Sequence, residues 1–101
     1  MPGWVNFTAF DGDAIAGNIT LFLEKENPTI GIIEDLFVRR PWRRRGVAKA
    51  LLSTALTHFQ GSFVERVQLE MWSANKHAHQ LYRAFGFVPI DETEIALGRY
   101  V

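Results

Sequence analysis

The stretch that decides the fold runs from residue 38 to residue 52 and reads VRRPWRRRGVAKALL. An apolar, β-rich run ends at Val38, and a helical pattern begins near Gly46. Five arginines, one proline and one tryptophan fill the seven positions between them. The first backbone N–H groups of a helix lack an intrahelical partner, and the helix dipole favours anions there. The stretch therefore predicts a phosphate-binding loop, with a basic turn that simply faces water as the alternative.

The composition is that of a soluble globular protein. Its 101 residues suffice for one domain, which we expect to span 1–101. The net charge is zero, which argues against a nucleic-acid partner and makes the arginine cluster a focused feature. The absence of cysteine excludes disulfides, a thiolate nucleophile and a Cys-ligated metal. Because the sequence shows neither a run of about 18 apolar residues nor a signal-peptide pattern, we expect a cytoplasmic protein without a membrane partner.

Hydrophobic periodicity predicts the element order βββ-α-β-α-ββ. Alternating apolar and polar residues indicate strands, and apolar residues at i, i+3, i+4 and i+7 indicate helices. Asp11-Gly12-Asp13 and Asn27-Pro28 mark turns. The predicted elements are strands over 4–10, 14–23 and 30–38, a helix from near Gly46 to Gly61, a strand over 64–72, a helix capped by Ser73 or Asn75 and ended by Gly86, and strands over 87–90 and 93–100.

This order predicts a mixed, mostly antiparallel sheet with helices on its faces, an α/β fold that some schemes class as α+β. The third strand, first helix and fourth strand form a central βαβ unit, which requires parallel pairing of the two strands. If no bulge interrupts the third strand, Glu34 lies in one row with Ile32 and Leu36. A carboxylate in that apolar row breaks the pattern and is a candidate functional group.

Two motifs lie on these elements, RxxGxA over residues 43–48 and NxxAxxLYxxxGF over residues 75–87. With the strand IEDLFV at 33–38, they closely resemble the GNAT superfamily of acetyl-CoA-dependent N-acyltransferases. The resemblance implies that the loop binds the diphosphate of acetyl-CoA. Gly46 and Ala48 would let the diphosphate approach the backbone. Arg44 and Arg45 could neutralise it, and Arg43 could instead hold the loop; the sequence leaves the division open.

The resemblance also implies a site for the pantetheine arm. The third strand is expected to splay from the fourth at a bulge, so that the arm pairs with the freed backbone. Asn75 could bind the arm through its amide or simply cap the second helix. The residues expected at the cofactor are Leu36, Phe37, Val38, Arg43, Arg44, Arg45, Gly46, Val47, Ala48, Lys49, Asn75 and Tyr82.

Two residues are candidate catalytic groups. By the resemblance, Tyr82 is the general acid that protonates the leaving thiolate of CoA, although its helical spacing also suits a core aromatic. Glu34 is the candidate general base for an ammonium acceptor, because an amine must lose a proton before it attacks a thioester. Its run resembles a polyamine-type Glu-Asp-aromatic-aromatic-Val pattern in which Leu36 replaces the first aromatic. A salt-bridged Glu34 and a base role for Asp35 are the alternatives.

We therefore expect an N-acetyltransferase that uses acetyl-CoA, no metal and a primary amine by direct attack. A non-catalytic CoA-binding module or subunit is the alternative, and an anion- or RNA-binding loop is a third possibility. His58, His77 and His79 show no ligand-like arrangement. Family members usually carry another strand and two helices before the first hairpin, and this chain starts near the second strand. We expect a homodimer, or a partner subunit, that covers the exposed surface through the N-terminal hairpin or the last strand, and Trp4 and Phe10 fit such a contact.

Overall fold

A computed structural model describes residues 4–70, 76–91 and 96–101. In chain order, its elements are β1 Trp4–Asp11, β2 Ala14–Leu23, β3 Ile30–Val38, a 3₁₀ turn at Arg40–Trp42, α1 Val47–Gln60, β4 Arg66–Glu70, α2 Lys76–Ala84, β5 Val88–Pro89 and β6 Ala96–Tyr100. The predicted order βββ-α-β-α-ββ is confirmed. The predicted fourth strand begins later, at Arg66, and the predicted strand over 87–90 is shorter at both ends. The last strand ends at Tyr100 as predicted, and positions 93–95 at its predicted start lie outside the described residues. Met71, Trp72, Ser73 and Asn75 lie outside the described residues.

The strands form one sheet with the order β1-β2-β3-β4-β6-β5. β3 and β4 pair in parallel, whereas every other neighbouring pair is antiparallel. This is the mixed, mostly antiparallel sheet with a central βαβ unit that the sequence predicts. The parallel pair forms because α1 carries the chain across the sheet between β3 and β4.

Helix α1 packs its apolar stripe against β1, β2 and β3. The periodicity predicts a stripe that is buried at five positions, with Phe59 as the largest side chain, and half-buried at Ala48. The five buried residues are Leu51, Leu52, Ala55, Leu56 and Phe59. Gly31 of β3 lies directly under the Phe59 ring, where an added Cβ would come within 2.6 Å of the ring carbon Cε1. The glycine therefore lets α1 approach the sheet closely. Residues of β2, β4, α2 and β6 join α1 in one buried cluster.

A bulge interrupts β3 at Glu34. Asp35 lies opposite Thr20 of β2, whereas Ile33 lies opposite Leu21, so Glu34 is the extra residue between them. Ile33 and Leu36, three residues apart, therefore share one face of the sheet. The uninterrupted row that would align Ile32, Glu34 and Leu36 does not form. The Glu34 side chain is exposed to solvent.

Candidate active site

The arginine loop makes two sharp backbone turns between β3 and α1. The 3₁₀ turn forms first, with the Trp42 N–H donating to the Arg39 carbonyl at 2.9 Å and the Arg43 N–H to the Arg40 carbonyl at 3.2 Å. Arg44 and Gly46 then adopt left-handed backbone conformations, with φ of 63° and 81°. Left-handed φ is unusual for a residue with a side chain and is enriched at functional sites, so Arg44 marks this loop as a candidate site.

The N-terminus of α1 presents backbone donors without partners. Gly46 occupies the N-cap position, and no side chain caps the helix. The first helical hydrogen bond runs from the Ala50 N–H to the Gly46 carbonyl at 3.0 Å. Within the described residues, the N–H groups of Val47, Ala48 and Lys49 have no acceptor. The space that a Cβ would occupy at Gly46 is empty to 4 Å, so an anion can reach these donors.

The arginines of the loop divide into two groups. The Arg43 Nε–H donates to the Val38 carbonyl at 3.0 Å, which ties the loop to the end of β3. Arg43 therefore holds the loop, one of the two roles that the sequence left open. The side chains of Arg44 and Arg45 are exposed and make no hydrogen bond or ion pair with any residue in the described parts of the chain. Their charges are available to a bound anion.

Trp42 and Asp11 form a contact that sequence reasoning missed. The Trp42 indole Nε1–H donates to Asp11 Oδ2 at 2.8 Å, although the residues are 31 positions apart. A second bond, from the Arg39 N–H to the Ala16 carbonyl at 2.8 Å, fixes the start of the loop to β2. The sequence marked Asp11 only as a turn residue, and no local pattern could have paired it with an indole. The β1–β2 hairpin thus positions the arginine loop.

The C-terminal half of β3 lies beside this loop. Within the residues that the structure describes, β4 pairs with Ile30–Ile33 of β3. From Glu34 to Val38, β3 has a strand neighbour on only one side, β2, among the residues that the structure describes. Leu36, Phe37 and Val38 lie on this part of β3, and their place at a pantetheine site stays a prediction. Glu34 directly follows the last described pair of β3 with β4, Ile33 with Leu69.

Tyr82 lies on α2 with its side chain buried. Its ring packs edge-to-face on Phe87, with 5.7 Å between the ring centroids. Burial raises the pKa of the Tyr82 phenol above its ordinary value of 10.0 because the phenolate loses its hydration. The hydroxyl therefore keeps its proton across the neutral range. Tyr82 belongs to the buried cluster against which Leu36 and Val47 pack, so all three share one core.

Two further expectations concern Asn75 and bound metal. Asn75 lies outside the described residues, so its place at the site stays a prediction. Among residues 4–70, 76–91 and 96–101, no group of three or more His, Cys, Asp or Glu side chains could hold a metal ion. In the same residues, no helix is long and apolar enough to cross a membrane.

Comparison with known proteins shows one family. The model of the acetyltransferase (GNAT) family matches residues 2–87. A curated protein, N-alpha-acetyltransferase MAK3 of Arabidopsis thaliana, is 35% identical over 83 residues, which is 81% of this chain and 44% of the relative. The chain thus spans less than half the length of that relative.

Solved structures show the same fold at low sequence identity. The ribosomal-protein-S18-alanine N-acetyltransferase of Escherichia coli superimposes with a TM-score of 0.89 at 18% identity, covering 100% of this chain and 71% of that one. The PaiA N-acetyltransferase of Thermoplasma acidophilum, solved in complex with coenzyme A, gives a TM-score of 0.84 at 16% identity, covering 98% and 62%.

Proposed function

Because the chain belongs to the acetyltransferase (GNAT) family, we propose that it transfers the acetyl group of acetyl-CoA to a primary amine by direct attack. The proposal rests on the structure of the segment that runs from the end of β3 to the start of α1. Among the described residues, the edge of β3 from Glu34 to Val38 has no partner on the β4 side, and it leads into a cationic loop and then into a helix N-terminus whose first N–H groups have no acceptor. CoA contains a diphosphate joined to an extended chain with amide groups, so its parts match these three features in the same order along the chain.

The diphosphate of CoA would lie at the N-terminus of α1. The N–H groups of Val47, Ala48 and Lys49 would donate to its oxygens, and the helix dipole would favour its charge. The exposed guanidinium groups of Arg44 and Arg45 would supply the neutralising charge. Arg43 would act indirectly, because its Nε–H holds the Val38 carbonyl.

The pantetheine arm would extend from the loop along β3. Its amides would pair with the free backbone edge of Leu36, Phe37 and Val38, as an added strand pairs with a sheet. The thioester would then lie near the bulge at Glu34, next to the last described pair of β3 with β4. Asn75, which precedes α2 in the sequence, is proposed to bind the arm through its side-chain amide.

The chemistry needs a base for the acceptor nitrogen and an acid for the leaving sulfur. The acceptor ammonium loses a proton to Glu34, directly or through water, and the free amine attacks the thioester carbon. As the tetrahedral intermediate collapses, the carbon–sulfur bond breaks and the departing sulfur takes the proton of the Tyr82 hydroxyl. The nitrogen releases its second proton to solvent, and the Tyr82 phenolate regains a proton from solvent. A phenol near pKa ~10 and a thiol near ~8.5 make the transfer from Tyr82 to sulfur uphill in water by about 2 kcal/mol, so it requires a close and oriented donor.

Glu34→Gln should lower kcat/KM about tenfold at neutral pH, less than a buried base contributes, because water reaches the exposed carboxylate and replaces part of its role. The loss should shrink as the pH rises, since an alkylamine with a pKa of ~10.4 then deprotonates without help. Rates measured across pH test this expectation. Asp35→Asn is the matched control, and a Glu34→Gln profile that overlays the wild type removes Glu34 from the mechanism.

Trp42→Phe should weaken CoA binding several-fold, because the loss of the bond to Asp11 loosens the arginine loop and one such bond contributes about 1 kcal/mol. Asp11→Ala should have the same effect, and Asp11→Asn, which keeps an acceptor oxygen, a smaller one. Calorimetry on the double variant Trp42→Phe, Asp11→Ala should show no further loss. Additive losses would mean that the two side chains act separately.

The acceptor class is open to direct measurement. The curated relative is named as an N-alpha-acetyltransferase, so peptides with a free α-amino group are the first acceptors to test. A thiol-release assay with acetyl-CoA should compare such peptides with polyamines, aminoglycosides and other amines. Release that depends on one of these amines supports the proposed enzyme.

CoA binding with no amine-dependent release would contradict the proposed activity and favour a CoA-binding module or subunit. The loop and the β3 edge can bind CoA without a complete acceptor site, so binding and turnover must be measured separately. A cytoplasmic location and a homodimer remain part of the proposal.

A further inference from the structure

Helix α2 is held to the rest of the chain by few buried side chains. Of its nine residues, Lys76–Ala84, only Tyr82 is buried, whereas α1 buries five. Ala78 and Leu81 are half-buried and pack against the same core. A helix in a protein gains most of its stability from the apolar face that it packs, so a short helix with one buried residue gains little. The position of the Tyr82 ring should therefore depend on what fixes the C-terminal end of α2.

The C-terminal end of α2 closes in a tight turn next to Tyr82. The Phe87 N–H donates to the Tyr82 carbonyl at 3.0 Å, and the Gly86 N–H donates to the Arg83 carbonyl at 3.0 Å. Gly86 supplies the left-handed φ of 88° that this Schellman turn requires. The Phe87 ring also packs on the Tyr82 ring, so one neighbour holds both the backbone and the side chain of Tyr82. These bonds do not use the Phe85 carbonyl.

Arg99 of β6 binds the Phe85 carbonyl. Its Nη1–H donates to that oxygen at 2.8 Å, and its Nε–H donates to the Tyr100 carbonyl at 3.0 Å. One guanidinium thus joins the backbone at the end of α2 to the backbone of β6. Hydrogen bonds from a charged donor are stronger than neutral ones, and a cation at a helix C-terminus also meets the negative end of the helix dipole.

We propose that Arg99 is a positioning residue for Tyr82, because it fixes to β6 the end of the helix that carries the Tyr82 ring. The consequence for catalysis rests on the proposed function, in which the Tyr82 hydroxyl protonates the leaving sulfur. A donor in such a step must be close and oriented, and a displacement of about 1 Å can cost about a hundredfold in rate. Arg99 acts through the helix, so its loss should lower kcat and leave the affinity for CoA unchanged.

Fluorine NMR tests the positioning without any turnover. The chain has two tyrosines, so Tyr100→Phe leaves Tyr82 as the only site for incorporated 3-fluorotyrosine. In that background, Arg99→Met, which keeps an unbranched apolar stem, should shift and broaden the Tyr82 resonance. Arg83→Met should not, because Arg83 is also a cation in the last turn of α2 but is exposed, and its side chain makes no hydrogen bond or ion pair with any residue that the structure describes. A resonance that Arg99→Met leaves unchanged would overturn the proposal.

Rates of thiol release test the consequence for catalysis. Arg99→Met should lower kcat about tenfold at a temperature where every variant is folded, and calorimetry should show unchanged CoA affinity. Arg99→Lys, which keeps a charged donor, should recover part of the loss, and Arg83→Met should match the wild type. If Tyr82→Phe is slow but Arg99→Met is as fast as Arg83→Met, Arg99 does not position the proton donor.

The double variant Tyr82→Phe, Arg99→Met separates positioning from other effects on the rate. If Arg99 acts through the Tyr82 hydroxyl, the double variant should be no slower than Tyr82→Phe alone. Losses that multiply would show that Arg99 affects the rate by another route and would contradict the proposal. If Tyr82→Phe alone leaves the rate unaltered, the proton-donor role in the proposed function fails, and the fluorine resonance decides whether Arg99 positions the ring.

Discussion

Tyr82→Phe should lower the rate of thiol release about 10²- to 10⁴-fold while CoA affinity stays unchanged, because a positioned general acid contributes on that scale. The phenylalanine ring preserves the burial of the side chain and its edge-to-face contact with Phe87. Only the proton donor is removed. Stopped-flow detection of free thiol measures the rate, and calorimetry with CoA measures the affinity.

Tyr100→Phe is the matched control, since Tyr100 is the other tyrosine and is 75% exposed. The same chemical change there should leave the rate of thiol release unaltered. A Tyr82→Phe rate equal to that of the control would assign Tyr82 to the core alone.

Burial of Tyr82 also predicts how the stability of the folded chain changes at alkaline pH. The raised pKa keeps the phenol protonated in the folded chain at a pH where the unfolded chain begins to ionise. Stability from this source is complete below about pH 10 and is lost as the pH rises through the raised pKa. Tyr82→Phe should remove this alkaline loss, which unfolding in denaturant at several pH values measures.

Gly46→Ala should weaken CoA binding about a hundredfold, because the new Cβ occupies the open space beside the helix N-terminus. The diphosphate then loses charge-assisted hydrogen bonds of about 3 kcal/mol in total. Gly46 has φ of 81°, a conformation that costs an alanine about 1–2 kcal/mol. A loss of stability is therefore expected as well and must be separated from the loss of affinity.

Gly86→Ala supplies that separation. Gly86 has φ of 88°, and the space for its Cβ is also empty to 4 Å. The two variants should lose similar stability in thermal unfolding, but only Gly46→Ala should lose CoA affinity. Equal affinities of the two variants would show that the helix N-terminus does not hold the diphosphate.

Local patterns in the sequence were enough to predict the order of the elements. The 3.6-residue period from Ala48 to Phe59 and the period of two in the strands each report which residues face the core. The parallel pairing of β3 with β4 followed from the helix between them. These features depend on residues close together in the chain, which a pattern can register.

The bulge at Glu34 is a feature that such local patterns could not predict. A period of two describes only a regular strand, and a single extra residue reverses the face of every position that follows. The bond from Trp42 to Asp11 likewise joins distant parts of the chain. The role of Arg43 was undecidable among five neighbouring arginines, because it depends on where the Val38 carbonyl points.

Calorimetry of the wild-type chain with CoA and with pantetheine tests the proposed CoA site most directly. Pantetheine retains the amide arm that would pair with β3 but lacks the diphosphate and the adenosine 3′-phosphate attached to it. We predict that CoA binds about a hundredfold more tightly, because two charge-assisted hydrogen bonds at the arginine loop contribute about 3 kcal/mol. Equal affinities for the two ligands, or no binding of CoA, would contradict a diphosphate site at the start of α1.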